Sequence, residues 1–356
     1  MDGERGEPYA GLEVTSAGER YLEAAAICDG QVAPLLGVLR DADPAALAPR
    51  AGSRPGATAE RHRFLARTAA ADVTAARVLE PHLDALAILA EAGLPQNEPG
   101  HTWGVFAAEA RDAVLVATQH DSSWVLDGVK PWCSLGGRLT DALVTARTAS
   151  GQRRMFHVEL TSVTVIAEPA TWVSRGLADV ESGPLRFERA AAEPIGDSGW
   201  YLSRPGFRWG SIDVAAAWWG GCLPLFSALL TRAQPESASP LLCARVGRLF
   251  RMLDSTRLAL ERAAQVVDAK SVESVEGGPV GEDAAAVLAH SVRGTAADAV
   301  AETISAAHDL LGPAVFGFDE SLARRAADLE MYVSQYHRGP DDVSLVAHLG
   351  GSAAWW

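Results

Sequence analysis

The hydrophobic period of this chain changes twice along its length. From about Ala17 to Arg40, and again from Thr58 to Gly93, apolar residues recur every three or four positions, as in Leu79, Leu83, Leu86, Ile88 and Leu89, with alanine between them. That spacing predicts amphipathic helices on either side of the Pro/Gly/Ala-rich loop DADPAALAPRAGSRPGA. Between about Val105 and Arg189 the pattern shortens to β-branched runs, AVLVATQ, SWVLDG, ALVTARTA, RMFHVEL, SVTVIAE and PLRFER, divided by the turn signals SLGG, SGQ and SGP. These runs predict an antiparallel sheet or barrel. Helical spacing returns after Pro205, over Ile212 to Arg232, Leu241 to Ala269, Glu282 to Leu311 and Ser321 to Gln335, with breaks at QPESASP and EGGPVG. Short connections between four such segments predict antiparallel neighbours in a four-helix bundle. The expected class is α+β: an N-terminal helical domain over 1–102, a middle antiparallel β-domain over 103–204 and a C-terminal helical bundle over 205–356.

Composition narrows the function classes without choosing one. A chain of 356 residues with 48% hydrophobic and 21% charged residues can bury a substantial core, which excludes a disordered or fibrous protein. The formal net charge of −14 opposes general affinity for nucleic acid or an anionic membrane, because phosphates need a basic surface. Cys28, Cys133, Cys222 and Cys243 form no C-x-x-C pair and have no histidine at metal-ligand spacing, so neither a metal site nor a disulfide framework is expected. The acidic start MDGERGEPYAGLE has no apolar core of a secretory signal, and no unbroken run of about eighteen apolar residues occurs, so the expected location is cytoplasmic.

The segment WVLDGVKPWCS, Trp124 to Ser134, carries the most chemistry. Asp127-Gly128 is a hairpin-turn dipeptide, since Gly tolerates positive φ and Asp tolerates αL. Beyond it, Trp132 offers a broad π face and Ser134 a hydroxyl beside backbone N–H groups, a combination that suits a planar heteroaromatic ring. The segment resembles the W-x-L-x-G-x-K-x-W-x-[ST] step of the acyl-CoA dehydrogenase superfamily. Further stretches resemble that family in the same order: Ala71 to Pro95 with Trp103 to Glu109, Tyr201 to Gly221, and Leu310 to Gly339. Together they span about residues 64–350, closest in outline to shorter bacterial members.

The resemblance implies a flavin-dependent oxidoreductase that dehydrogenates an acyl thioester at the α and β carbons, passing hydride to the N5 of FAD. It implies an acyl-CoA or acyl-carrier substrate, an electron-accepting partner, and a homo-oligomer or a heteromer. It places Trp132, Cys133 and Ser134 along the flavin, and Gly312, Gly317, Arg245 and Arg248 towards its pyrophosphate and adenosine half. The family's catalytic glutamate is missing from both customary seats. One reads Tyr336, His337, Arg338, Gly339 and the other holds Ala215. His337, Asp341 and Asp213 are the candidate substitutes, with a flavin monooxygenase of the same fold and a catalytically silent subunit as the alternatives. The remaining conspicuous residues have plainer readings. Lys130 is expected to be a solvated or salt-bridged strand residue. Glu80 and Asp84 share a solvated helix face, and His82 lies on another face, so the three cannot hold one metal ion.

Overall fold

The computed structural model describes residues 16–43, 46–95, 99–111, 113–168, 172–204, 206–234, 236–273 and 282–350, so the start of the chain and EGGPVG lie outside the described residues. Helices α1 (Ser16–Ile27), α2 (Ala33–Asp41), α3 (Ala57–Ala71) and α4 (Val73–Glu91) come first. Periodicity alone predicts two helices here, and the described residues form four. The break between α3 and α4 falls at Asp72, which is extended and whose carboxylate accepts from the Ala75 N–H at 3.2 Å. A cap of this kind satisfies a helix-end donor that an apolar period does not register. Asp72 also accepts from the Gly30 N–H and from Arg324, so the break is a junction of three segments.

Strands β1 (Trp103–Phe106), β2 (Leu115–His120), β3 (Ser123–Ser134), β4 (Asp141–Arg147), β5 (Arg153–Glu159), β6 (Val165–Ala167) and β7 (Ser182–Ile195) form one sheet. Pairing runs β4–β2–β3–β7–β5 and returns to β4, which closes a ring, with β1 added beside β4 and β6 beside β7. The sheet is antiparallel except where β4 meets β1 and, at a single position, β2. Asp127-Gly128 is not the hairpin turn. The β2–β3 hairpin closes at Asp121, φ +51°, with Ser123 paired to His120, and Asp127-Gly128 lies inside β3 at a bulge against β7. There Gly128 takes φ +119°, and a Cβ on it would stand 2.2 Å from the Val114 carbonyl oxygen. The Asp127 carboxylate accepts from the Arg189 N–H at 2.8 Å, fixing the bulge from the facing strand.

After the sheet come α5 (Trp200–Ser203), α6 (Gly206–Ala233), α7 (Pro240–Glu273), α8 (Glu282–Leu311), α9 (Pro313–Phe318), α10 (Glu320–Val333) and α11 (Arg338–Leu349). The α+β class holds, and the last helix is one that periodicity did not predict. Helix α6 is the hub and packs against α3, α4, α7, α8 and α10. It is long and apolar enough to cross a membrane, although Arg208, Asp213 and Arg232 interrupt its apolar run. Here it is a packed helix, with Trp218 fully buried and Ala215, Ala216 and Ala217 all enclosed.

Candidate active site

A second irregularity in β3, between Lys130 and Cys133, places Trp132 in the left-handed region at φ +58°. That conformation costs an L-residue about 1–2 kcal/mol, so the pairing on either side must hold it. The result is a tryptophan 58% exposed at the end of a core strand. It faces a cavity of about 560 Å³ enclosed by α4, the ends of β1 and β3, the 172–182 segment and α10. A volume of that order holds a drug-sized ligand.

Ser134 lines the same cavity. Its hydroxyl accepts from Arg77 Nη2 at 2.9 Å and lies 2.8 Å from the Ser182 hydroxyl, which in turn donates to the Val180 carbonyl at 3.1 Å. With Ser182 donating to Val180, the Ser134 proton points to Ser182, and a cationic fork is held against the shelf. Arg77 escaped the sequence reading, although its place three residues before Glu80 on α4 was a usable signal. Cys133 is a correction. Strand alternation turns its side chain into the core, where the thiol donates to the Lys130 carbonyl at 3.3 Å and burial pushes its pKa up to about 12. Only its backbone can serve a ligand on the Trp132 side. Lys130 is likewise buried rather than solvated, donating to the Thr145 carbonyl at 2.7 Å and hydroxyl at 2.9 Å, and burial lowers its pKa to about 8.

Helix α4 supplies the residue that sequence reasoning set aside. Glu80 was expected on a solvated face, yet it is buried and lines the cavity. Burial raises its pKa to about 7; Arg77 works against the rise, and Asp84 and Asp213 add to it. The buried Tyr332 phenol lies beside this carboxyl and is itself pushed well above its usual range by burial and by Glu80. Two residues along, His82 is buried with its Nδ1 accepting from the Trp103 N–H, which joins α4 to the sheet, and burial lowers its pKa to about 4. Among the described residues no group of three could hold a metal ion.

The three expected bases separate. His337 lines the 560 Å³ cavity from the N-cap of α11. Asp341 lines an adjoining lobe of about 330 Å³, where its carboxylate accepts from the His337 N–H at 3.1 Å and stands 4.0 Å from His290. Asp213 is a correction: it is buried between Arg61 at 2.5 Å and His62 at 3.3 Å and lines neither of these spaces. Burial opposes its ionisation, but the Arg61 charge prevails and holds its pKa below the usual value. It is a structural counter-ion and not a poised base.

The expected phosphate contacts stand apart as well. Arg245 pairs with Asp309 at 3.1 Å and Arg248 with Glu302 at 3.8 Å, on the facing surfaces of α7 and α8. Gly312, φ +77°, caps α9, and Gly317 lies within that helix with open space around its Cα. None of the four lines the cavity, so within one chain they do not reach a ligand lying on Trp132.

No protein-family model matches the chain, and no curated protein matches it. Solved structures do. FMN-bound TdsC from Paenibacillus sp. A11-2, elsewhere described as a dibenzothiophene monooxygenase, superposes with a TM-score of 0.76 at 14% identity, over 94% of this chain and 95% of that one. Butyryl-CoA dehydrogenase from Megasphaera elsdenii superposes at 0.72 and 16% identity, over 95% of this chain and 98% of that one. The fold is that of the acyl-CoA dehydrogenases. A third structure, the methanesulfinate monooxygenase MsuC from Pseudomonas fluorescens, gives 0.70 at 17% identity over 93% of each chain. Within this acyl-CoA dehydrogenase fold, the two seats where a catalytic glutamate was sought hold fully buried Ala215 and the step from Tyr336 to Gly339.

Proposed function

We propose that this chain is a flavin-dependent oxidoreductase and, within that class, a monooxygenase. The observation that carries the reading is Trp132, a strained and exposed indole on the wall of a cavity large enough for an isoalloxazine ring. A ring lying there would contact the indole, the Ser134 hydroxyl and the Arg77 fork, the last two joined by a hydrogen bond of 2.9 Å. Bound in this cavity, a flavin supplies two-electron redox chemistry and, when reduced, reaction with dioxygen. The chain's own residues orient the ring, exclude water from it and hold protons near it. FMN is the favoured form, because Arg245, Arg248, Gly312 and Gly317 lie away from the cavity and FMN needs no adenosine contacts.

Oxygenation is preferred because neither customary seat holds a carboxylate, and because the structures of similar fold include proteins described as monooxygenases. A second reading is favoured by Glu80, a carboxyl in the cavity wall: dehydrogenation of an acyl thioester, carried on CoA or a carrier protein, with electrons passed to a partner protein. Reconstitution with FMN and with FAD, followed by anaerobic titration with a panel of acyl-CoA esters, separates the readings. A yellow complex that dithionite bleaches and acyl-CoA does not, and that consumes oxygen when reduced, supports the monooxygenase. Bleaching by an acyl-CoA establishes the dehydrogenase, and failure to bind either flavin ends both.

A further inference from the structure

The flavin-sized cavity and the 330 Å³ lobe share a wall made by Glu80, Asp84, Tyr201 and Val214. A substrate reaching from the lobe towards the Trp132 shelf passes these four side chains. Three of them are poor proton carriers. Val214 has no proton to exchange. Burial raises the Asp84 pKa as well, but its carboxylate is committed to Arg204 Nη2 at 3.2 Å, and Arg204 is itself locked to Glu91 at 2.6 Å. Tyr201 is a buried phenol whose pKa is driven up by desolvation, with Asp84 adding to the rise. Glu80 differs, because among the described residues no basic side chain stands at ion-pairing distance from it. His337, the expected base, lines only the first cavity.

We propose that Glu80 is the catalytic acid–base residue of this site, exchanging a proton with the substrate where the two spaces meet. The assignment rests on the flavin-dependent reading above. In the forward step a Glu80 carboxylate oxygen forms an O–H bond, the substrate's bond to that proton breaks, and the electron pair stays on the substrate atom. In reverse, the carboxylic acid returns the proton. In a dehydrogenation the substrate's electron pair would pass to oxidised flavin; in an oxygenation dioxygen would take two electrons from the substrate and two from flavin reduced beforehand by an external two-electron donor, leaving as water and the inserted oxygen; only the proton passes through Glu80.

The surroundings suit both directions. The carboxyl is held near neutrality by burial, with Arg77 and Arg61 favouring its charged form and Asp84 and Asp213 opposing it. From the other elements around it, Tyr332 of α10 and Tyr201 of α5 are buried phenols that stay neutral. Arg293 of α8 lines the same lobe, donates to the Ser211 carbonyl at 3.1 Å, and has its charged form favoured by Glu80 against the cost of burial. A carboxyl poised near pH 7 offers both protonation states in useful amounts.

The test uses the flavin-reconstituted full chain with Glu80→Gln and Glu80→Asp. Infrared difference spectra between about pH 5 and 9 are expected to show a carboxylic acid band that titrates near neutrality in the parent protein and is absent from E80Q. With the substrate found by panel screening, kcat/KM is expected to fall by about 10²-fold or more in E80Q. The limb of its pH profile near neutrality is expected to disappear, while E80D retains the limb and part of the rate. Flavin affinity and absorbance should match the parent in both variants, which shows that the site is intact. If flavin binds normally and E80Q keeps the parent rate and profile, this proposal is overturned and the flavin reading stands. Loss of the infrared band together with an unchanged profile overturns it equally. A parent chain that binds no flavin removes both.

Discussion

Glu80 and Asp213 are carboxylates on adjacent helices, and their neighbours drive them in opposite directions. Asp213 has Arg61 and His62 against its oxygens, and its pKa falls in spite of burial. Its contribution to stability is therefore present above the ordinary aspartate pKa and is lost as pH drops through the lowered one. Replacing it with alanine strands the Arg61 guanidinium in the core, and denaturant unfolding is expected to show a loss of about 3–5 kcal/mol. Glu80 has the opposite sign. Its folded pKa of about 7 lies above the ordinary glutamate value of 4.5, so its acid form favours the fold, and that stability is lost as pH rises from the lower value through the upper one. A shift of this size corresponds to about 3 kcal/mol of destabilisation when the group is fully ionised. E80Q is accordingly expected to be more stable than the parent by up to that amount at pH 8. The difference should vanish near the unfolded carboxyl pKa, a trend that urea titrations at several pH values would read.

At the scale of elements, the close approach of α3 and α6 depends on a missing side chain. A Cβ on Gly220 would stand 2.2 Å from the Ala66 carbonyl oxygen, a backbone atom that cannot yield alone. Gly220→Ala is expected to push the two helices apart and lower stability by about 1–3 kcal/mol, seen as a lower thermal midpoint with or without flavin. Strand β3 teaches a different lesson. Asp127-Gly128 has the chemistry of a tight turn, and a bulge asks for that same chemistry, because both need positive φ. Local sequence could not choose between them; the pairing of β3 with β2 on one side and β7 on the other did. Asp72 likewise broke a predicted helix through a cap that serves three segments at once.

For the whole molecule, the cavity is a joint between layers: α4, the sheet, the 172–182 segment and the bundle each give it a wall. The loop is docked on α10 through the Leu177 N–H, which donates to Asp328 at 2.5 Å. A ligand that fills this joint binds the folded chain and not the unfolded one. FMN at about 100 times its Kd should therefore add about 2.7 kcal/mol, and the thermal midpoint should climb with FMN concentration. A midpoint indifferent to flavin would remove the cavity as its site. The order of helices, strands and helices was legible in the chain because burial imposes a period of 3.6 on a helix and of 2 on a strand, and Trp132 and Ser134 stood out by residue type. What only the tertiary structure decided was environment. Glu80 looks like any helix-surface acid until α3, α6 and α10 pack around α4 and bury it, and Asp213 looks like a free base until Arg61 meets it from another helix. Protonation depends on desolvation and on charges brought near from distant parts of the chain, and neither quantity is written in local spacing.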